Sequence, residues 1–161
     1  MQEVIALAGF DWRLLHALQG DASLTNAGLA ERVGLSASQV SRRRQKLEEA
    51  GIIRGYRVDL DGRRLGLGVT VFVHVTLNTH SRDNARRFRD LVRRTPSVLE
   101  GHALTGEADY LLKLAVADLG ELSLVINDVL LPDPSVARVR SEIVLETLKE
   151  AAGLPLPGLP A

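Results

Sequence analysis

The chain has 161 residues, 45% hydrophobic and 25% charged, the make-up of a folded globular protein and not of a disordered one. Twenty basic residues balance twenty acidic ones, which excludes a generally basic nucleic-acid tail but leaves room for a local patch. The absence of cysteine excludes a disulfide framework, a thiolate zinc site and a cysteine nucleophile, and is compatible with a cytoplasmic location.

No apolar run approaches the ~20 residues that span a bilayer, so no membrane association is expected. The opening MQEVIALAGFDWR lacks a basic stretch followed by a long apolar one, so it does not read as a signal peptide.

Residues 1–51 carry a helical period and read as one helical domain. In FDWRLLHALQG, Phe10, Leu14 and Leu18 recur every fourth residue, which predicts an amphipathic helix ending at Gly20. A second helix starts near Thr25 or Asn26, either of which can cap it; it buries Leu29, Ala30 and Val33 and breaks at Gly34. Ser36 caps a third helix that runs to Ala50, with Gly51 as its terminator. Two helices joined by a short glycine-containing turn make a helix-turn-helix.

After Gly51 the pattern changes. Ile52–Leu60 reads as a strand, and residues 52–68 as a strand and linker between two domains. Residues 69–150 then alternate as a sheet domain does. Val69, Val71, Val73, Val75 and Leu77 share one strand face, and Thr70, Phe72, His74 and Thr76 the other. A helix over 83–94, strands over 98–105 and 108–117 joined at Gly106-Glu107, a helix over 118–131 and a strand over 136–148 follow. The order β-α-β-β-α-β is that of a ferredoxin-like α+β sandwich. Two helices cover one sheet face, and Phe72 on the other predicts a dimer made by stacking two sheets. Residues 151–161 form a proline-rich tail, expected to fray unless its leucines pin it.

Charge singles out the third helix. Residues 36–64 hold eight basic and four acidic residues, net +4. With Val40 and Leu47 inward, Ser38, Arg42, Gln45 and Lys46 fall on the far side, and Gln39 and Ser41 flank them. Arg or Lys pairs with guanine edges or phosphates and Gln with adenine. The face has no aromatic residue, so base stacking on single strands is not expected. The candidate DNA-contacting set is Ser36, Ser38, Gln39, Ser41, Arg42, Arg43, Gln45 and Lys46. Arg43 and Arg44 lie nearer the inward face, where one of them can pair with an acid such as Asp11, and neither is assigned a base.

The stretches FDWRLLHALQGDASLTNAGLAERVGLSASQVSRRRQKLEEAGIIRGYRVDLD, LGLGV and LTGEADYLLKLAV, in this order and spacing, resemble the Lrp/AsnC (feast/famine) family of transcriptional regulators. The resemblance runs from about Phe10 to Lys149. It departs at Arg44, where the family carries an aliphatic residue. The resemblance implies an N-terminal winged helix-turn-helix and a C-terminal αβ-sandwich that binds small ligands, usually amino acids. It also implies dimerisation through the sheets and further assembly, up to octamers. The family's effector region matches Thr105, Gly106, Glu107, Asp109 and Tyr110, with Ser141 on the last strand. Gly106 permits a tight turn with exposed N–H groups for an α-carboxylate, and Asp109 or Glu107 can receive an α-ammonium.

The expected partners are therefore double-stranded DNA, a second copy of the chain and an amino-acid effector, with no other cofactor. Enzyme readings are weaker. His16, His74, His80 and His102 form no metal-binding pair at helical spacing, and no nucleophile elbow, dinucleotide fingerprint or P-loop is present. Sirohaem decarboxylases are similar in fold and size, but this chain has no histidine between residues 17 and 73. A ligand sensor whose helical domain binds protein is the other alternative, disfavoured by the outward Arg42 and Lys46.

Overall fold

The computed structural model describes residues 7–79, 81–150 and 153–157. His80 and the remainder of the tail lie outside the described residues. The chain forms two compact units: residues 1–59 together with 149–161, and residues 60–148.

The first unit is built on α1 (Gly9–Gly20), α2 (Asn26–Val33) and α3 (Ala37–Glu49). Leu14, Leu15 and Leu18 of α1, Leu29, Ala30 and Val33 of α2, and Val40 and Leu47 of α3 form its core. Thr25, not Asn26, caps α2 through a hydrogen bond from the Gly28 N–H to its hydroxyl. Gly34 ends α2 at φ 72°, a left-handed conformation that glycine reaches without strain, and the chain turns directly into α3. Ser36 and Gln39 cap α3 reciprocally: the Gln39 N–H donates to the Ser36 hydroxyl, and the Ser36 N–H donates to the Gln39 side chain.

The strand expected at Ile52–Leu60 does not form. Ile52 and Ile53 pack on the helical core, while the chain from Arg54 to Leu60 has no ladder partner. Val58 is 81% exposed and Leu60 65%. The residue types suit a strand, but a strand exists only where another pairs with it, and none does here among the described residues. The described part of the tail, residues 153–157, is held and not frayed. The Gln19 amide donates to the Leu154 carbonyl and accepts from the Leu154 N–H, and Leu156 packs against the helical core. Gly153, at φ 87°, lies so close to Gln19 that a Cβ there would collide with the side-chain oxygen.

The second unit carries the β-α-β-β-α-β order: β1 (Val69–Leu77), α4 (Arg82–Arg94), β2 (Val98–Ala103), β3 (Tyr110–Val116), α5 (Leu119–Leu124) and β4 (Val136–Ile143). The sheet is antiparallel in the order β2-β3-β1-β4. The helix expected over 118–131 is α5 followed by a π-helical segment, Val125–Leu130, in which the Leu131 N–H reaches the Ile126 carbonyl. Both helices pack on one face, where Phe88, Leu122, Val125 and Leu130 meet Val71, Val73, Val75, Leu112 and Leu114. Three strands, β2, β3 and β4, are shorter than expected. β4 stops at Ile143, and a loop over 104–109, closed by a hydrogen bond from Leu104 N–H to the Asp109 carbonyl, replaces a tight turn at Gly106-Glu107.

The other sheet face is mostly polar, with Phe72 and Leu111 half-buried on it. The register places Phe72, His74 and Thr76 of β1 beside Glu142, Arg140 and Arg138 of β4, and Lys113 beside Glu100. Ion pairs link Arg140 to Glu142 at 2.9 Å and Lys113 to Glu100 at 3.0 Å.

Candidate nucleic-acid interface and ligand site

The face of α3 divides by chemistry. Val40 and Leu47 are buried, and Arg43 lies between them along the helix, half-buried, with its guanidinium 2.8 Å from Asp11 of α1. Arg43 is thus tied inward and is the arginine that pairs with Asp11. Ser38, Ser41, Arg42, Gln45 and Lys46 are exposed, and among the described residues Arg42 and Lys46 have no ion-pair partner. Ser36 and Gln39 serve the cap, and one donor of the Gln45 amide goes to Glu49 at 2.8 Å. The groups most available to a duplex are therefore Ser38, Ser41, Arg42 and Lys46, with the rest of the Gln45 amide.

Arg44 has a partner that sequence spacing did not reveal. Its guanidinium lies 4.4 Å from the centre of the Tyr56 ring and donates to the Tyr56 hydroxyl at 2.7 Å and to Glu48 at 3.2 Å. Tyr56 in turn donates to Glu48 at 2.7 Å. This hydrogen bond is the main reason the Glu48 carboxyl titrates below its ordinary range; burial opposes it, and Arg44 adds to it. A lowered carboxyl pKa contributes stability above the ordinary range that is lost as pH falls through the folded value. Tyr56→Phe moves the Glu48 titration upward, readable from its carboxyl carbon by NMR; an unmoved titration contradicts this origin.

In the second unit, a concavity of about 570 Å³ opens on the polar sheet face, lined by His74, Thr76, Leu104, Glu107, Ala108, Arg138 and Arg140. Of the sequence-derived effector residues only Glu107 lines it. Asp109 fastens the loop: one carboxylate oxygen accepts from the Leu77 N–H at 2.7 Å, and its own N–H donates to the Val75 carbonyl. Tyr110 packs on Phe88 with ring centres 4.7 Å apart. Thr105 and Gly106 are exposed in the loop. Ser141 pairs with Val73, so it belongs to the helix-covered face and not to the face that carries the concavity. Sequence reasoning missed Arg138, Arg140, His74 and Thr76; only the strand register places them together. Among the described residues no group of three or more metal-ligating side chains can hold an ion.

Residues 7–54 match the winged helix-turn-helix DNA-binding family, and residues 70–154 match the Lrp/AsnC ligand binding domain. A glutamate uptake regulatory protein of Zymomonas mobilis is 39% identical over 94% of this chain and 92% of its own length. The chain belongs to the Lrp/AsnC family. A leucine-responsive regulatory protein of Rhizobium meliloti is 36% identical over 91% of this chain and 94% of its own. The crystal structure of a Neisseria meningitidis transcriptional regulator in complex with L-Met superposes with a TM-score of 0.91 at 38% identity, covering 94% of this chain and 98% of that one. This Lrp/AsnC protein is accordingly a transcriptional regulator with an N-terminal DNA-binding unit and a C-terminal ligand-binding unit, an α+β fold.

Proposed function

We propose that this Lrp/AsnC regulator reads double-stranded DNA through α3, acts as a homodimer or a larger assembly of dimers, and takes an amino acid as its effector. The carrying observation is the exposed polar side of α3, where Arg42 and Lys46 stand without an acidic partner among the described residues. Guanidinium and amide groups there suit base edges, and Lys46 suits a phosphate. Such a protein works in the cytoplasm, and no reaction is assigned to it. Among the described residues no helix is long and apolar enough to cross a membrane.

The effector reading rests on the concavity beside the 104–109 loop. Glu107 offers a carboxylate to an α-ammonium group, and Arg138 and Arg140 offer guanidinium groups to an α-carboxylate. Arg140 already pairs with Glu142, while Arg138 has no ion-pair partner among the described residues, which favours Arg138 as the carboxylate ligand. Asp109 holds the loop that carries Glu107. Thr105 and Gly106 belong to the loop, while Tyr110, packed on Phe88, and Ser141 fall outside this site. An amino acid on the polar sheet face would sit where a stacked second sheet is expected, which gives it a route to the assembly.

A screen of the twenty amino acids by thermal unfolding tests the effector. A ligand at a hundredfold its Kd stabilises the native state by about 2.7 kcal/mol, and the best hit should lose that gain in Glu107→Gln and in Arg138→Gln. A gain that survives both substitutions places the effector elsewhere, and the absence of any gain removes the amino acid from the proposal.

A further inference from the structure

The second unit carries a basic surface that the ligand-binding role does not use. Helix α4 holds six arginines and two aspartates in thirteen residues, net +4, and no lysine. The segment 117–135, which contains α5 and the π-helical turn, holds four acidic residues and no basic one. Positive charge is therefore sorted onto one helix. Phe88 is buried against the sheet, with Ala85, Leu91 and Val92 half-buried, and all six arginines are exposed.

Their spacing is ordered. Arg82, Arg86, Arg89 and Arg93 follow one another at intervals of four, three and four residues, which places them within an arc of about 60° on the helix. The stripe is about 16 Å long at 1.5 Å per residue, a span over which one strand of duplex DNA presents about five phosphates. Arg86 and Arg93 each share an aspartate one turn away, Asp83 at 3.3 Å and Asp90 at 3.6 Å, yet both side chains remain 77% exposed. Among the described residues Arg82 and Arg89 have no ion-pair partner. Like charges four residues apart weaken a helix, so this order is not a device for helix stability. No aromatic or large aliphatic side chain lies on the stripe, which suits it poorly to the core of a protein interface. Planar guanidinium groups instead match phosphate oxygens two at a time.

We propose that Arg82, Arg86, Arg89 and Arg93 form a second DNA-contacting surface, which binds the phosphate backbone of duplex DNA without reading its sequence. The proposal rests on the DNA-binding reading of α3 and adds a contact from the ligand-binding unit.

The test compares two charge-matched variants of the full chain. Arg82→Gln/Arg89→Gln removes two unpaired arginines from the stripe. Arg87→Gln/Arg94→Gln removes two exposed arginines from the opposite flank of the same helix. Glutamine is a good helix former, and unchanged circular dichroism confirms that both fold. Binding to a fluorescent duplex of generic sequence is followed by anisotropy between about 50 and 200 mM salt, and assembly size by light scattering. The stripe variant should bind at least ~10-fold more weakly near 100 mM salt, and its plot of log affinity against log salt should flatten by about 1.8 for each protomer engaged. The flank variant should lose less than ~3-fold at the same salt. Equal losses in both variants reduce the effect to net charge and overturn the proposal. So does unchanged duplex binding in the stripe variant, including the case in which its assembly size changes, which would make the stripe a contact between copies. A wild-type chain that binds no duplex at the lowest salt overturns the α3 reading and this one together.

Discussion

Phe88→Ala lowers the stability of the C-terminal unit by about 3–5 kcal/mol, the range for truncating a large core aromatic. Phe88 is fully buried and, with Leu91 and Val92 packed against the same core, anchors the arginine-rich helix α4 to the sheet. Its ring lies 4.7 Å from that of Tyr110 at an interplanar angle of 41°, an arrangement worth about 0.5–1.5 kcal/mol beyond the area buried. The neighbours are β-strand residues fixed by the ladder, so the space left behind closes only in part. Domains hold together by about 5–15 kcal/mol in total, so the loss is a large share of what is available. Urea unfolding monitored by circular dichroism measures it. Leu99→Ala, on the edge strand with 57% of its surface exposed, serves as the comparison and should change stability by less than about 0.5 kcal/mol. Equal losses at the two positions would contradict the core assignment.

Arg42→Ala and Arg43→Ala, adjacent in sequence, fail in different ways. Arg42 is exposed on the outward side of α3, so its removal leaves the fold intact and weakens binding to a selected DNA site by about 1–3 kcal/mol, roughly 5- to 150-fold. Binding to unrelated duplexes falls less. Arg43 pairs at 2.8 Å with Asp11, whose side chain is only 15% exposed. Its removal leaves that carboxylate without its partner and lowers the melting temperature, with DNA affinity per folded molecule less affected. Lys46→Ala flattens the salt dependence by about 0.9 without changing the preferred sequence. Equal losses of specific and non-specific affinity in Arg42→Ala would make Arg42 a phosphate contact.

Much of this architecture is local and therefore legible in the sequence. The apolar period of α1, the Ser36 cap and the alternation of Val71, Val73 and Val75 each follow from neighbours a few residues apart. What escaped depends on distant partners. Tyr56 reaches Arg44 across twelve residues of turn and extended chain, and that contact gives the charged Arg44 side chain its partner. Leu154 meets Gln19 from the far end of the chain. Ile52–Leu60 has strand-like side chains but no strand to pair with. Ser141, which the resemblance offered only as a weaker effector candidate than Glu107, is put on the helix-covered face by the pairing of β4 with β1. Arg138 and Arg140 become candidates by the same register. The inward face of α4, with Ala85, Phe88, Leu91 and Val92, was legible from its period, and the structure bears it out with Phe88 buried and the six arginines exposed.

Binding-site selection from a random duplex library with the full chain tests the central claim most directly. The account predicts enrichment of a pseudo-palindromic motif whose half-sites lie one helical turn, about 10 base pairs, or a multiple of it apart. Substitution of Arg42 should blur one position in each half-site. A selected pool indistinguishable from the starting library at low salt would contradict it.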